Sequence, residues 1–302
     1  MDGVLVIDKP QGLTSHDVVA VARRALSETR IGHTGTLDPL ATGVLPRAIG
    51  RATRLVRFLT ASDKNYEATI RFGVTTDSYD VTGAETGRTD CVPTRSAVLT
   101  AIEALSGDYL QLPPAFSAKK VEGRRAYSLA RLGQAVALTP VPVRVSHSEL
   151  LDFTEGTARV SLTCSAGFYV RTFAHRLGEL TGTGACLEAL RRTRSGDFGL
   201  DVAISIDGLR DTSGPGGSLV PLEGLLAGFP AVALTARGRI HVSHGRELKS
   251  EDYATQDHLA ATHATGTLDT PWVRLFDDTG ALIALATPGP TPGSLHPSVV
   301  LV

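Results

Sequence analysis

The chain has 302 residues, of which 42% are hydrophobic and 20% charged, and its net charge is −1. That is enough length for one large and one small domain, each with an apolar core, and the composition is that of a globular protein. No apolar run approaches the ~20 residues that span a bilayer, and Cys91, Cys164 and Cys186 are far apart and odd in number. A membrane protein, a disulfide scaffold and a Cys-based metal site are thereby excluded, and a reduced, cytoplasmic setting is expected.

The near-zero net charge hides an uneven distribution. Residues 1–72 carry 10 basic and 7 acidic groups, and residues 115–200 carry 12 and 7. Residues 73–114 carry 2 and 6, and residues 201–302 carry 6 and 11. A polyanion responds to potential within about a Debye length (~8–10 Å), so a basic face remains compatible with a neutral total.

In chain order, Gly3 to Asp8 reads as a buried opening strand, closed by the turn Lys9-Pro10-Gln11-Gly12. Thr14 and Ser15 offer an N-cap for a helix to about Leu26, with Val18, Ala22, Ala25 and Leu26 as its apolar stripe and Gly32 past its end. The loop Gly32-His33-Thr34-Gly35-Thr36-Leu37-Asp38-Pro39 follows, running on through Gly43 to Leu45. Its glycines allow close main-chain approach to a ligand. Asp38-Pro39 also has the pattern of a helix start, an acceptor at N-cap and Pro at N1.

Arg51 to Leu59 reads as a short basic amphipathic helix, and Tyr66, Ala68, Ile70 and Phe72 alternate as in a half-exposed strand. A helix is expected over 94–105, a strand over 160–163, and a helix from Tyr169 to Leu180. Leu219, Leu222 and Leu226 have helical spacing, so a domain boundary is placed after them: a first domain over 1–228 and a small β-rich module over 229–302.

The block from Gly32 to Leu45, with Lys9-Pro10-Gln11-Gly12-Leu13-Thr14-Ser15 before it, closely resembles the TruB-type tRNA pseudouridine synthases. Asp63-Lys64-Asn65-Tyr66, Cys164 to Thr172 and Leu190-Arg191-Arg192 match further blocks of that family, and the segment at about 113–143 resembles its RNA-gripping thumb. The resemblance covers residues 3–200. It implies an α+β pseudouridine synthase fold, with a mixed, mainly antiparallel central sheet flanked by helices, and a C-terminal PUA-like module. The match of that module is poor, because it is acidic and lacks a basic cluster.

By the same resemblance Asp38 is the catalytic nucleophile, Arg171 pairs with it, and Tyr66 stacks on the extruded base. His33, Lys9 and Leu190 belong to the substrate site, Lys9 as a shaper of the loop. Phosphate contacts are expected from Arg51, Arg54, Arg57, Lys119, Lys120, Arg124, Arg125, Arg191, Arg192 and Arg194. The implied reaction breaks the N1–C1′ bond of a uridine and rejoins C1′ to C5. A carboxylate suits such anomeric chemistry, as in retaining glycosidases. Neither metal nor other cofactor is required by it. The implied substrate is the T-arm loop of tRNA at position 55, bound by a monomer without membrane or obligatory protein partner. A guide-RNA-dependent synthase, which tends to carry basic extensions this chain lacks, and a non-catalytic tRNA-folding protein are the alternatives.

Overall fold

The computed structural model describes residues 1–117, 119–121, 124–125, 138–211, 218–254 and 271–302. Strand β1 (Gly3–Lys9) opens the chain, and α1 (Ser15–Leu26) follows. Helix α1 starts in a capping box: the Thr14 hydroxyl accepts from Asp17 N–H, and the Asp17 carboxylate accepts from Thr14 N–H. It ends at Ser27 in a left-handed conformation, not at Gly32, which lies in β2 (Ile31–His33). Strand β3 (Thr42–Ile49) leads into a 3₁₀ turn (Gly50–Leu55) and α2 (Val56–Ala61), the expected helix in two parts. No helix starts at Asp38-Pro39: Ala41 N–H bonds back to Asp38 C=O, and the chain turns directly into β3.

Strand β4 (Lys64–Phe72) alternates buried and partly exposed positions as its sequence implies. A small ribbon, β5 (Val74–Thr76) with β6 (Glu85–Arg88), leads to α3 (Arg95–Ala104), capped by Thr94, and to β7 (Gly107–Gln111). A short hairpin, β8 (Lys120–Val121) and β9 (Arg124–Arg125), is what the described residues contain of the thumb's interior. The sequence also predicts a helical stretch within the thumb segment, running to Leu132, and it lies outside the described residues. Next come β10 (Val141–Thr154), β11 (Thr157–Cys164), α4 (Val170–Thr181), β12 (Ala185–Ser195), β13 (Phe198–Gly199), β14 (Ile204–Ser205) and α5 (Ile206–Asp211). Leu219–Pro221 forms β15, and Leu222–Gly224 is a 3₁₀ turn, so the leucine spacing at 219–226 does not make an α-helix. Pairing with β1 takes this segment into the sheet instead.

The central sheet runs β14-β1-β3-β12-β4-β11-β10-β7, with β13, β15 and β2 attached at its sides. The β1–β14 and β3–β12 pairs are parallel and the others antiparallel, which is the mixed, mainly antiparallel sheet expected. Its first strands are buried on both faces. Leu5, Ile7, Leu45 and Ile49 pack with the buried stripes of α1, α3 and α4, while Val4, Val6, Val44 and Ala48 pack on the opposite side. A period of two thus feeds two cores at once.

The second core is shared with the C-terminal module. Its sheet is β16 (Ala231–Ala233), β17 (Val273–Phe276), β18 (Leu282–Pro288) and β19 (Leu295–Val300), with α6 (Ala236–Ser243) packed on β18 and β19. Leu282, Leu285 and Leu301 reach into the core of β1 and β3, whereas Ile283, Ala284 and Ala286 fill the module's own core. No helix among the described residues is long and apolar enough to cross a membrane.

Candidate active site

The loop between β2 and β3 is held from beneath by cations that bond its carbonyl oxygens. Lys9, fully buried, donates from Nζ to Pro10 O (2.9 Å), Leu13 O (2.7 Å) and Pro39 O (3.5 Å). Arg47 bonds Gly35 O and Ser15 O, both at 3.2 Å, and Arg192 bonds Val44 O at 2.6 Å and Thr36 O at 3.5 Å. From above, the Ser15 hydroxyl bonds both the N–H and the C=O of Leu37 at 2.9 Å. Gly43, at φ +100°, passes so close to β12 that a Cβ would stand 2.2 Å from Arg192 O. These contacts leave Asp38 facing outward, its side chain 42% exposed.

Arg171 meets Asp38 from the second residue of α4. Its Nε lies 2.9 Å from Asp38 Oδ2 and 3.7 Å from Asp80 Oδ2, while Nη1 and Nη2 donate to Ser78 O (2.9 Å) and Phe116 O (2.8 Å). The Arg171 and Asp80 side chains are 6% and 7% exposed. A cation near a helix start is disfavoured by the helix dipole, and two carboxylates offset that cost. The other Asp80 oxygen accepts from Ser78 Oγ (2.9 Å), Thr82 N–H (2.9 Å) and Thr82 Oγ1 (2.5 Å). Tyr79, at φ +64°, completes the turn that aims Asp80, and Leu187 of β12 bonds both Tyr79 O and Val81 N–H at 2.9 Å. Gln111 fixes the start of α4 by bonding the main-chain N–H and C=O of Tyr169.

Asp38 and Arg171 stand at a cavity of about 250 Å³ whose walls include Tyr66, Leu190, Phe168, Tyr169, Lys64 and Arg192. Burial raises the Tyr66 phenol above its ordinary pKa, while the Arg192 guanidinium works against that shift. Burial lowers Lys9 and Lys64 to about 8. Ser117 Oγ, buried in the same wall, has no hydrogen-bond partner among the described residues. None of the described residues forms a cluster of three or more His, Cys, Asp or Glu side chains able to hold a metal ion.

Asp38, Tyr66, Arg171 and Leu190 therefore meet at one cavity, with Arg192 in its wall and not on the outer surface. Lys9 is sealed beneath the loop and supports it. His33 is exposed at the end of β2. Its Nδ1 accepts from Gly35 N–H (3.2 Å) and its Nε2 lies 2.8 Å from Thr36 Oγ1, which selects the tautomer with hydrogen on Nε2. Arg191 pairs with Asp8 at 2.8 Å, and Arg194 bonds Gly196 O.

Arg51, Arg54 and Arg57 are exposed, and each also touches the C-terminal module. Arg51 pairs with Asp2 and donates to Leu301 O, Arg54 donates to Val300 O, and Arg57 lies 4.7 Å over the Trp272 ring. Lys119 bonds Thr139 O, and the side chains of Lys120, Arg124 and Arg125 lie outside the described residues. The structure adds Asp80, Arg47 and Gln111 to the site. A lone arginine inside the apolar run of β3 was the available signal for Arg47, whereas Asp80 had none, since its partner lies 91 positions further along the chain.

The mixed, mainly antiparallel sheet flanked by helices and joined to a second small sheet is a known fold. Two solved assemblies share it: a Cbf5–Nop10–Gar1 complex (TM-score 0.73, 24% identity, 99% of this chain and 85% of that one) and an H/ACA ribonucleoprotein bound to a substrate RNA (TM-score 0.72, 23%, 99% and 85%). Residues 23–170 match the TruB family pseudouridylate synthase N-terminal domain. Proteins called tRNA pseudouridine synthase B are similar along the chain: that of Solibacter usitatus is 42% identical over all of both chains. That of Dehalococcoides mccartyi strain CBDB1 is 37% identical over 100% of this chain and 97% of its own. The chain belongs to the TruB family and is a pseudouridine synthase.

Proposed function

We propose that the enzyme isomerises one uridine of the tRNA T-arm loop, position 55, to pseudouridine, with Asp38 as nucleophile. The observation that carries this reading is the Asp38–Arg171 pair, 2.9 Å apart at the mouth of a cavity walled by Tyr66, Leu190 and Phe168. The tRNA named in the relatives' descriptions supports the substrate class.

The uridine leaves its stack, which costs a few kcal/mol, and stacking on Tyr66 within the cavity offsets the loss. Arg171, held at all three nitrogens, keeps one Asp38 oxygen fixed and leaves the exposed one free to attack. Asp38 adds to the nucleotide as the N1–C1′ bond breaks and is released as C5 bonds to C1′; the C5 proton departs and N1 takes one up, so atoms balance without a co-reactant. Leu190 bounds the space in which the detached uracil turns. The C-terminal module steadies the catalytic sheet, and the enzyme works on free tRNA as a cytoplasmic monomer.

The test is conversion of an unmodified tRNA transcript with no guide RNA or added protein, mapped by chemical labelling of pseudouridine. Wild-type enzyme is expected to convert a single T-loop uridine, and Asp38→Asn to bind the transcript without converting it. Conversion elsewhere, or full activity in Asp38→Asn, would overturn the reading.

A further inference from the structure

Strands β4 and β12 pair antiparallel, with Tyr66 opposite Arg192 and Lys64 opposite Ser195. Lys64 and Tyr66, two apart on one strand, therefore share a face with Arg192, and all three line the cavity. Arg192 is 2% exposed, and its Nη2 has no hydrogen-bond partner among the described residues. Lys64 is buried too, and among the described residues its ammonium bonds only Thr60 O (2.6 Å) and Ser62 O, which leaves one N–H over.

Among the described residues neither cation has a carboxylate within 4.0 Å, while the site's two acids are both held by Arg171. Lys9 and Arg47, close behind, likewise bond only main-chain carbonyls among the described residues. Lys64 and Arg192 thus put buried positive charge into the cavity wall with no carboxylate in contact with it, a costly arrangement unless an anion arrives. A uracil carbonyl accepts hydrogen bonds but cancels no charge. A phosphate does both, and a guanidinium is the side chain best shaped to hold it.

We propose that Lys64 and Arg192 form a binding site for one backbone phosphate inside the catalytic cavity, belonging to the nucleotide stacked on Tyr66 or to its immediate neighbour. The site rests on the reading that a flipped uridine enters this cavity. Its role is to fix the nucleotide's register before the base meets Asp38, as phosphate contacts do in nucleic-acid recognition generally.

The test uses the full chain and a T-arm stem-loop RNA in which single phosphates at and beside the target uridine are replaced by neutral methylphosphonates. Binding and turnover are both measured, for wild type, Arg192→Gln and the charge-keeping Arg192→Lys, with thermal unfolding reporting on folding. One replacement is expected to lower wild-type affinity about tenfold to a hundredfold, the range for a hydrogen bond to a charged group. In Arg192→Gln that same replacement should cost little further, and the salt slope of binding should fall by about one. A scan in which no replacement weakens wild-type binding, or in which the loss is equal in Arg192→Gln, overturns the site. Where Arg192→Gln does not fold, the wild-type scan and Arg192→Lys decide alone. Turnover of the fully charged RNA judges the T-loop reading separately, since the phosphate coupling is read from binding.

Discussion

At residue scale, Arg171 gathers more of the site than any other side chain, because one guanidinium joins two carboxylates from separate loops. Replacing Asp80 by Asn keeps the bonds from Thr82 and Ser78 but removes a charge from Arg171, so the guanidinium loses one of its two anchors. Small misplacements at a reacting centre are costly, and kcat of Asp80→Asn is expected to fall about tenfold to a hundredfold with RNA affinity unchanged, measured by single-turnover kinetics beside a binding assay. The buried thiol of Cys164 makes a second prediction. Burial raises its pKa from 9.0 to about 12, so the folded state keeps a proton that the unfolded chain loses above pH 9. That contribution is whole below pH 9 and is lost progressively toward pH 12, on the order of 1 kcal/mol of it by pH 10. Cys164→Ala should show a flatter fall in stability between about pH 8 and pH 10 than wild type, read from urea unfolding.

At element scale, α1 and the loop it supports separate stability from chemistry. Thr14→Ala removes one half of the capping box and is expected to cost about 1 kcal/mol, with turnover retained. Ser15→Ala strips both main-chain partners from Leu37, next to Asp38, and should lower kcat, so thermal unfolding and kinetics of the two variants diverge. The start of α1 and the alternation of β4 were legible in the sequence because capping and period-two patterns are local. Asp38-Pro39 misled as a helix start because the buried amines and guanidiniums of Lys9, Arg47 and Arg192 claim the loop's carbonyls first. The leucines at 219–226 misled in the same way, since edge pairing with β1 overrode their spacing. Asp80 and the unpartnered Arg192 nitrogen depend on long-range pairing, which leaves no mark in a local window.

At the scale of the whole molecule, the arginine row at 51, 54 and 57 binds the two sheets into one body. Phe58 packs edge-on against Trp272 at 4.8 Å and Phe229 at 5.9 Å, and Arg57 covers the same indole. Trp272→Ala should remove about 2 kcal/mol of packing and cation–π stabilisation. Limited proteolysis is expected to release the C-terminal module sooner in that variant, while the wild-type seam near Phe229-Pro230 resists.

The parallel contact of β3 with β12 joins residues 149 positions apart, and Arg192 reaches across it to the loop that carries Asp38. Such a junction forms only after a long stretch of chain has been closed, a slow and late event in folding. Catalytic competence is then an all-or-none property of the finished molecule. A nascent or partly refolded chain can hold its hairpins and helices in place and still present no cavity to RNA, so unfinished copies do not compete for substrate.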